Sequence, residues 1–125
     1  MARPPISIGH VSLRVSEITR AAAFFRALGL RSVVERKELA ILELRGGTHL
    51  LLFHATSKPR SGQVRSFDFM VDDVEEAHQA AAAAGLAPTQ IVRDRMSAHL
   101  MFKVSDPDGH VFAVFSSHNA DGREV

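Results

Sequence analysis

"VSLRVSEITRAAAFFRALGL" (residues 11–30) and "FDFMVDDVEEAHQAAAAAGL" (residues 67–86) carry one pattern twice, at an offset of 67 − 11 = 56 positions. Val15 falls on Val71, Ala21 on Ala77, Ala27 on Ala83, Gly29 on Gly85 and Leu30 on Leu86. Where identity fails, character persists: Leu13 meets Phe69, Ser16 meets Asp72, Glu17 meets Asp73 and Ile18 meets Val74. Each copy reads as a strand, a polar cap, a helix and a closing Gly-Leu. A period this long marks two duplicated modules and not a solenoid of short repeats.

Local physics supports each copy. Alternation with period 2 over 10–15 and 66–71 predicts strands with one apolar face. Ser16 and Asp72 suit N-caps, and Glu75 stands three residues past Asp72 as in a capping box. Ile18, Ala21, Ala22, Phe25 and Leu28 form an apolar helical stripe, and Val74, Ala77, Ala81 and Ala84 a slimmer one. Gly29 and Gly85 sit where a helix ends in a left-handed residue.

Outward from the helices the pattern returns to strands. "RSVVER", "LAILELR" and "THLLLFHA" follow the first, with Gly46-Gly47 as a hairpin turn. A short strand near Ile91, "AHLMFKV" and "HVFAVFSS" follow the second, with "DPDG" (106–109) as the turn. The chain therefore reads as one domain, 1–125: module 1 over about 6–55, a linker over about 56–65, module 2 over about 66–117 and a polar tail, 118–125. The expected fold is α+β: two βαβββ modules forming a curved mixed sheet, a cup with the helices on its convex side.

Alternation also assigns faces. Val11, Leu13, Val15, Phe67, Phe69, Val71, Leu100, Phe102, Val104, Phe112 and Val114 fit the helix side. The opposite set is mixed: His10, Ser12 and Arg14; Ser66, Asp68 and Met70; His99, Met101 and Lys103; Val111, Ala113 and Phe115. Charged groups among small and apolar ones on one sheet face suit a ligand surface. A solvated outer face is the plain alternative.

Composition narrows the partners. With 15 Lys and Arg against 14 Asp and Glu, the net charge is +1 and no basic run appears, which argues against nucleic acid. There is no cysteine, so disulfides, thiolate chemistry and Cys-type zinc sites are excluded. No apolar run approaches the roughly 20 residues of a membrane span, so no membrane partner is expected. "MARPPISIGH" lacks the apolar region of a secretory signal, and a cytoplasmic location is expected.

"GHVSLRVSEITRAAAFFRALGL" and "DPDGHVFAVF", with the duplication, resemble the vicinal oxygen chelate superfamily of glyoxalases, bleomycin-resistance proteins and extradiol dioxygenases. The likeness runs from about residue 8 to 117. It implies paired βαβββ modules forming a cup, usually in a homodimer, and fixes no substrate. Metal-dependent members place ligands at the start of the first and fifth strands and within the eighth, and some add a carboxylate in the fourth. By this resemblance the positions fall on His10, Ser66 and Ala113, with the fourth-strand position near Leu52.

A catalytic divalent metal needs about three protein ligands and an open position. Serine ligates poorly and alanine cannot ligate, so no inherited metal site and no cofactor are expected. A displaced His10, His54, His99 site is the route by which a divalent metal remains possible, since three imidazoles suit zinc or iron. His49, His78, His110 and His118 read as turn, helix-surface and tail residues.

Arg14 and Lys103 can clamp an anion with Asp68 orienting them, or the three can form an internal ion pair of little weight. Met70, Met101 and Phe115 are packing residues or an apolar floor for a planar ligand. The leading reading is a metal-free binding protein of the bleomycin-resistance type, holding a small organic molecule in a dimeric cup. Its ligand-binding set is His10, Ser12, Arg14, Ser66, Asp68, His99, Met101, Lys103, Ala113 and Phe115. The alternative is a glyoxalase-like enzyme, a lyase, isomerase or dioxygenase, with a displaced metal or with His10 or His99 as general base.

Overall fold

The computed structural model describes residues 3–117, and its order of elements repeats once. Strand β1 (His10–Val15), helix α1 (Ile18–Leu28) and strands β2 (Arg31–Glu35), β3 (Leu39–Glu43) and β4 (His49–His54) form the first βαβββ unit. Strand β5 (Phe69–Val71), helix α2 (Val74–Ala83) and strands β6 (Val92–Arg93), β7 (Leu100–Ser105) and β8 (Val111–Ser116) form the second. The expected α+β class holds. The stretch read as a polar tail, with His118, lies outside the described residues.

Each unit closes a mixed four-stranded sheet, in the orders β1-β4-β3-β2 and β5-β8-β7-β6. In both, the first strand runs parallel to the last while the remaining pairs are antiparallel. Among the described residues no strand pairing joins β1 to β5, so the mixed sheet is in two halves. What joins the halves is side-chain packing.

The helix faces of both sheets feed one core. Leu13, Val15, Leu50 and Leu52 from the first sheet and Phe102, Val104, Phe112 and Val114 from the second belong to a single buried cluster. Helix α1 turns Ile18, Ala21, Ala22, Phe24 and Phe25 into it, the spacing of an amphipathic helix. Helix α2, rich in alanine, buries only Val74 and Ala81. Phe25 is the hinge between modules. Its ring meets Phe112 edge-on at 5.5 Å and Phe69 at 6.2 Å, so a first-module helix packs on the second-module sheet.

The caps differ from expectation by one residue. Asp73, not Asp72, caps α2, its carboxylate accepting from the Glu76 N–H at 3.0 Å. Glu17, not Ser16, stands at the N-cap of α1 and makes no side-chain cap bond. The reason is that Ser16 and Asp72 hold the modules together. The Ser16 N–H donates to Asp108 Oδ2 at 2.9 Å, and its hydroxyl bonds the other carboxylate oxygen. Asp72 accepts from Arg45 at 2.8 Å and from the Ser117 hydroxyl at 3.2 Å. Equivalent positions in the repeat thus tie a strand end to a hairpin turn of the other module.

Strand β5 is shorter than the 66–71 expected, and part of the stretch read as linker pairs with the second sheet. Gly62 donates to the Gly109 carbonyl at 2.7 Å, Arg65 to Val111 at 3.0 Å, and Val111 returns a bond to Gln63 at 3.0 Å. Gly109 has φ +81°, and a Cβ there would lie 2.9 Å from the Ser61 Cβ. Only glycine permits that backbone and that approach.

Candidate functional site

The faces away from the helices carry the expected polar set. On β1, His10, Ser12 and Arg14 are exposed while Leu13 and Val15 are buried. Beside them on β4 stand His49, Leu51 and Phe53, because Leu50 and Leu52 face the core. A polar rung crosses the whole sheet: Arg31 bonds Glu43, Glu43 lies 3.3 Å from His49 Nε2, and the His49 ring is 5.9 Å from His10. Arg14 donates from Nη1 to the His54 carbonyl at 3.0 Å and lies 5.8 Å from the Phe53 ring centre.

The second sheet presents Met70, Met101, Lys103, Ala113 and Phe115. Register sets Phe115 between Met70 on β5 and Met101 on β7, and Lys103 opposite Ala113. Met101 and Ala113 are buried yet stand outside the core cluster. His99 leads into β7; its Nδ1 donates to the Ser116 carbonyl and its ring meets Phe115 edge-on at 5.9 Å. Ser66 and Asp68, both exposed, lie on the approach to β5. Partial burial raises the Asp68 carboxyl above the usual carboxylate range, and the nearby His99 offsets part of that rise.

Strand pairing therefore joins His10, Ser12 and Arg14 on one sheet and Met101, Lys103, Ala113 and Phe115 on the other. It does not bridge the two groups. Ser12 and Arg14 instead line a cavity of about 470 Å³ beneath residues 55–65. A second cavity, of about 270 Å³, lies at the module junction, where Leu28, Leu30, Leu44, Phe69 and Phe102 meet Met70.

The donors at the positions where the resemblance puts the metal ligands do not fit a metal ion. His10 supplies one imidazole, Ser66 a neutral hydroxyl and Ala113 nothing; on β4, Leu51, Leu52 and Phe53 supply nothing. The displaced trio fails as well: His54 shares the parity of Leu50 and Leu52, while His10 shares that of Leu51. Among the described residues, the group that brings three ligand atoms within 4.8 Å of one another is Asp106, Asp108 and His110. Its donors are already engaged. Asp106 accepts from the backbone N–H of Asp108 (3.1 Å) and His110 (2.8 Å) and from His110 Nδ1 (2.8 Å), and Asp108 holds Ser16.

Two histidines escaped the sequence reading, one on this surface and one buried. His49, read as a turn residue, is half-buried on the open face of β4; the alternation of His49, Leu51 and Phe53 carried the signal. His110, read likewise, is 3% exposed, and its parity with Phe112 and Val114 on β8 carried the signal. His78 is no plain surface residue either: it bonds the Thr89 carbonyl at 2.9 Å and packs on Phe102.

Paired βαβββ units with polar open faces and a shared core define the vicinal oxygen chelate fold. The chain belongs to the glyoxalase/bleomycin resistance protein/dioxygenase superfamily, whose family model matches residues 7–114. It is similar to a crystal structure of lactoylglutathione lyase from Agrobacterium tumefaciens, at 24% identity over 92% of this chain and 96% of that one, with a TM-score of 0.71. A bleomycin resistance determinant encoded on the transposon Tn5 gives 19% identity over 90% and 99% of the two chains and a TM-score of 0.72. A bleomycin-binding protein complexed with bleomycin gives 18%, 92% and 100%, with a TM-score of 0.69. No curated protein matches the chain. Among the described residues no helix is long and apolar enough to cross a membrane.

Proposed function

We propose that this protein binds a small organic molecule without a metal ion, in a cup completed by a two-fold homodimer. The observation that carries the reading is the donor set: Ser66 and Ala113 stand where the resemblance puts two of the three family ligands. Small residues there leave room instead of coordination. Met70, Met101 and Phe115 supply an adaptable apolar floor, and Lys103 opposite Ala113 supplies a cation at its edge. A planar molecule with an anionic edge suits that combination. The bleomycin-bound structure of similar fold supports an organic ligand in this architecture.

A glyoxalase-like enzyme is the second reading, favoured by the Asp106, Asp108, His110 group and by the lyase of similar fold. Thermal-shift screening of planar aromatic carboxylates tests the first. A saturable rise in melting temperature is expected for at least one compound. Ala113→Trp should abolish that rise with an unchanged circular dichroism spectrum. Rises that all survive Ala113→Trp would place the site elsewhere.

A further inference from the structure

The cavity of about 470 Å³ between β1 and residues 55–65 has a charge unlike the rest of the molecule. Its lining includes Arg14, Lys58, Arg60 and Arg65, and no carboxylate. The whole chain carries only +1, so four cations around one concavity are a concentrated field. The volume falls in the range of about 300–1,000 Å³ typical of small-molecule sites.

Two features distinguish it from a solvated basic patch. Arg65 is half-buried, and among the described residues its Nε is buried with no hydrogen-bond partner. A native structure does not leave a buried charged donor unpaired without cause, because desolvation then goes uncompensated. The wall is also built, not draped: residues 62–65 are hydrogen-bonded to the Gly109–Val111 backbone, Arg65 through its N–H to the Val111 carbonyl, and Arg65 shares the lining with His110 and with Ser12 and Arg14 of β1. His110 is among the lining residues, buried and held through Nδ1 by Asp106, so Nε2 is its other ring nitrogen.

We propose that this cavity is a binding site for a phosphate group, either inorganic phosphate or the monoester of a small metabolite. Guanidinium forks and an ammonium group match the several oxygens of a phosphate better than the two of a carboxylate. The His110 Nε2 accepts from a phosphate hydroxyl, or donates once protonated. The site shares Ser12 and Arg14 with the open face of the first sheet, but its other walls come from residues 55–65 and His110. It therefore stands whether or not an organic molecule occupies the proposed cup.

The test is an NMR amide-shift titration with inorganic phosphate, ionic strength held constant with sodium chloride. Saturable shifts are expected at residues 12–14, 55–65 and 110. The double variant Lys58→Gln, Arg60→Gln alters two exposed side chains, so folding is retained. It should weaken binding by about tenfold, the loss of two charge-assisted contacts. Lys37→Gln, on an exposed turn, and Lys103→Gln, in the proposed cup, should leave phosphate affinity unchanged. Absence of saturation, shifts mapping elsewhere, an unweakened double variant, or equal weakening by either single variant would overturn the proposal.

Discussion

Asp68 illustrates how a single side chain reports on the open face. Partial burial makes the charged form of this largely exposed side chain less favourable, and attraction to His99 recovers only part of the cost. The folded protein therefore holds this proton more tightly than the unfolded chain. That contribution is fully present below the unfolded value of 3.8 and is lost as pH rises through the raised native value. Asp68→Asn is expected to raise the melting temperature near neutral pH, with the difference from wild type closing in strongly acidic buffer. A variant less stable than wild type at neutral pH would mean that Asp68 anchors a contact and is not a strained charge. At this scale the sequence was readable for face and not for partner. Alternation placed Asp68 and His99, but their electrostatic coupling depends on the approach to β5, which is too irregular for any period to describe.

At the scale of elements, the caps separate what local sequence can specify from what tertiary structure takes over. Ser16 and Asp72 are good caps in isolation, and of the residues that follow them Asp73 takes the capping role while Glu17 stands at the N-cap with no side-chain bond. The fold uses that shift: Asp73 caps α2, and Asp72 reaches Arg45 across the modules and Ser117 within its own. Asp73→Ala should cost about 1 kcal/mol in chemical denaturation, the usual worth of an N-cap. Asp72→Ala should cost less, because its ion pair with Arg45 is more than half exposed. The reverse order would restore Asp72 as the cap. The strand faces were legible because period 2 leaves no freedom: Leu13, Phe69, Phe102 and Phe112 all point to the core as their alternation requires. Pairing of residues 62–65 with β8 was not legible, since "SGQVR" has no strand signature and is held by backbone bonds alone.

For the whole molecule, the duplication explains the architecture. Two modules that repeat a sequence repeat a topology, and Phe25 with its aromatic neighbours fuses them into one core. The same topology leaves the groups of the proposed cup on separate sheets, which is why a second subunit enters the proposal: a two-fold dimer can set one chain's first sheet against its partner's second. Light scattering at micromolar concentration should give the mass of a dimer; a monomer would remove that element and require the cup to close within one chain. The central claim is that ligand binding here has outlived the metal. Its most direct test is the melting temperature of the protein, purified without chelator, titrated with zinc, nickel and manganese beside its His10→Ala and His110→Ala variants. No saturable change is expected with any ion, since a ligand that binds the native state alone raises the melting temperature. A saturable rise lost in His10→Ala would restore the metal at the first-strand position, and one lost in His110→Ala would place it at the Asp106, Asp108, His110 group; either result contradicts the account.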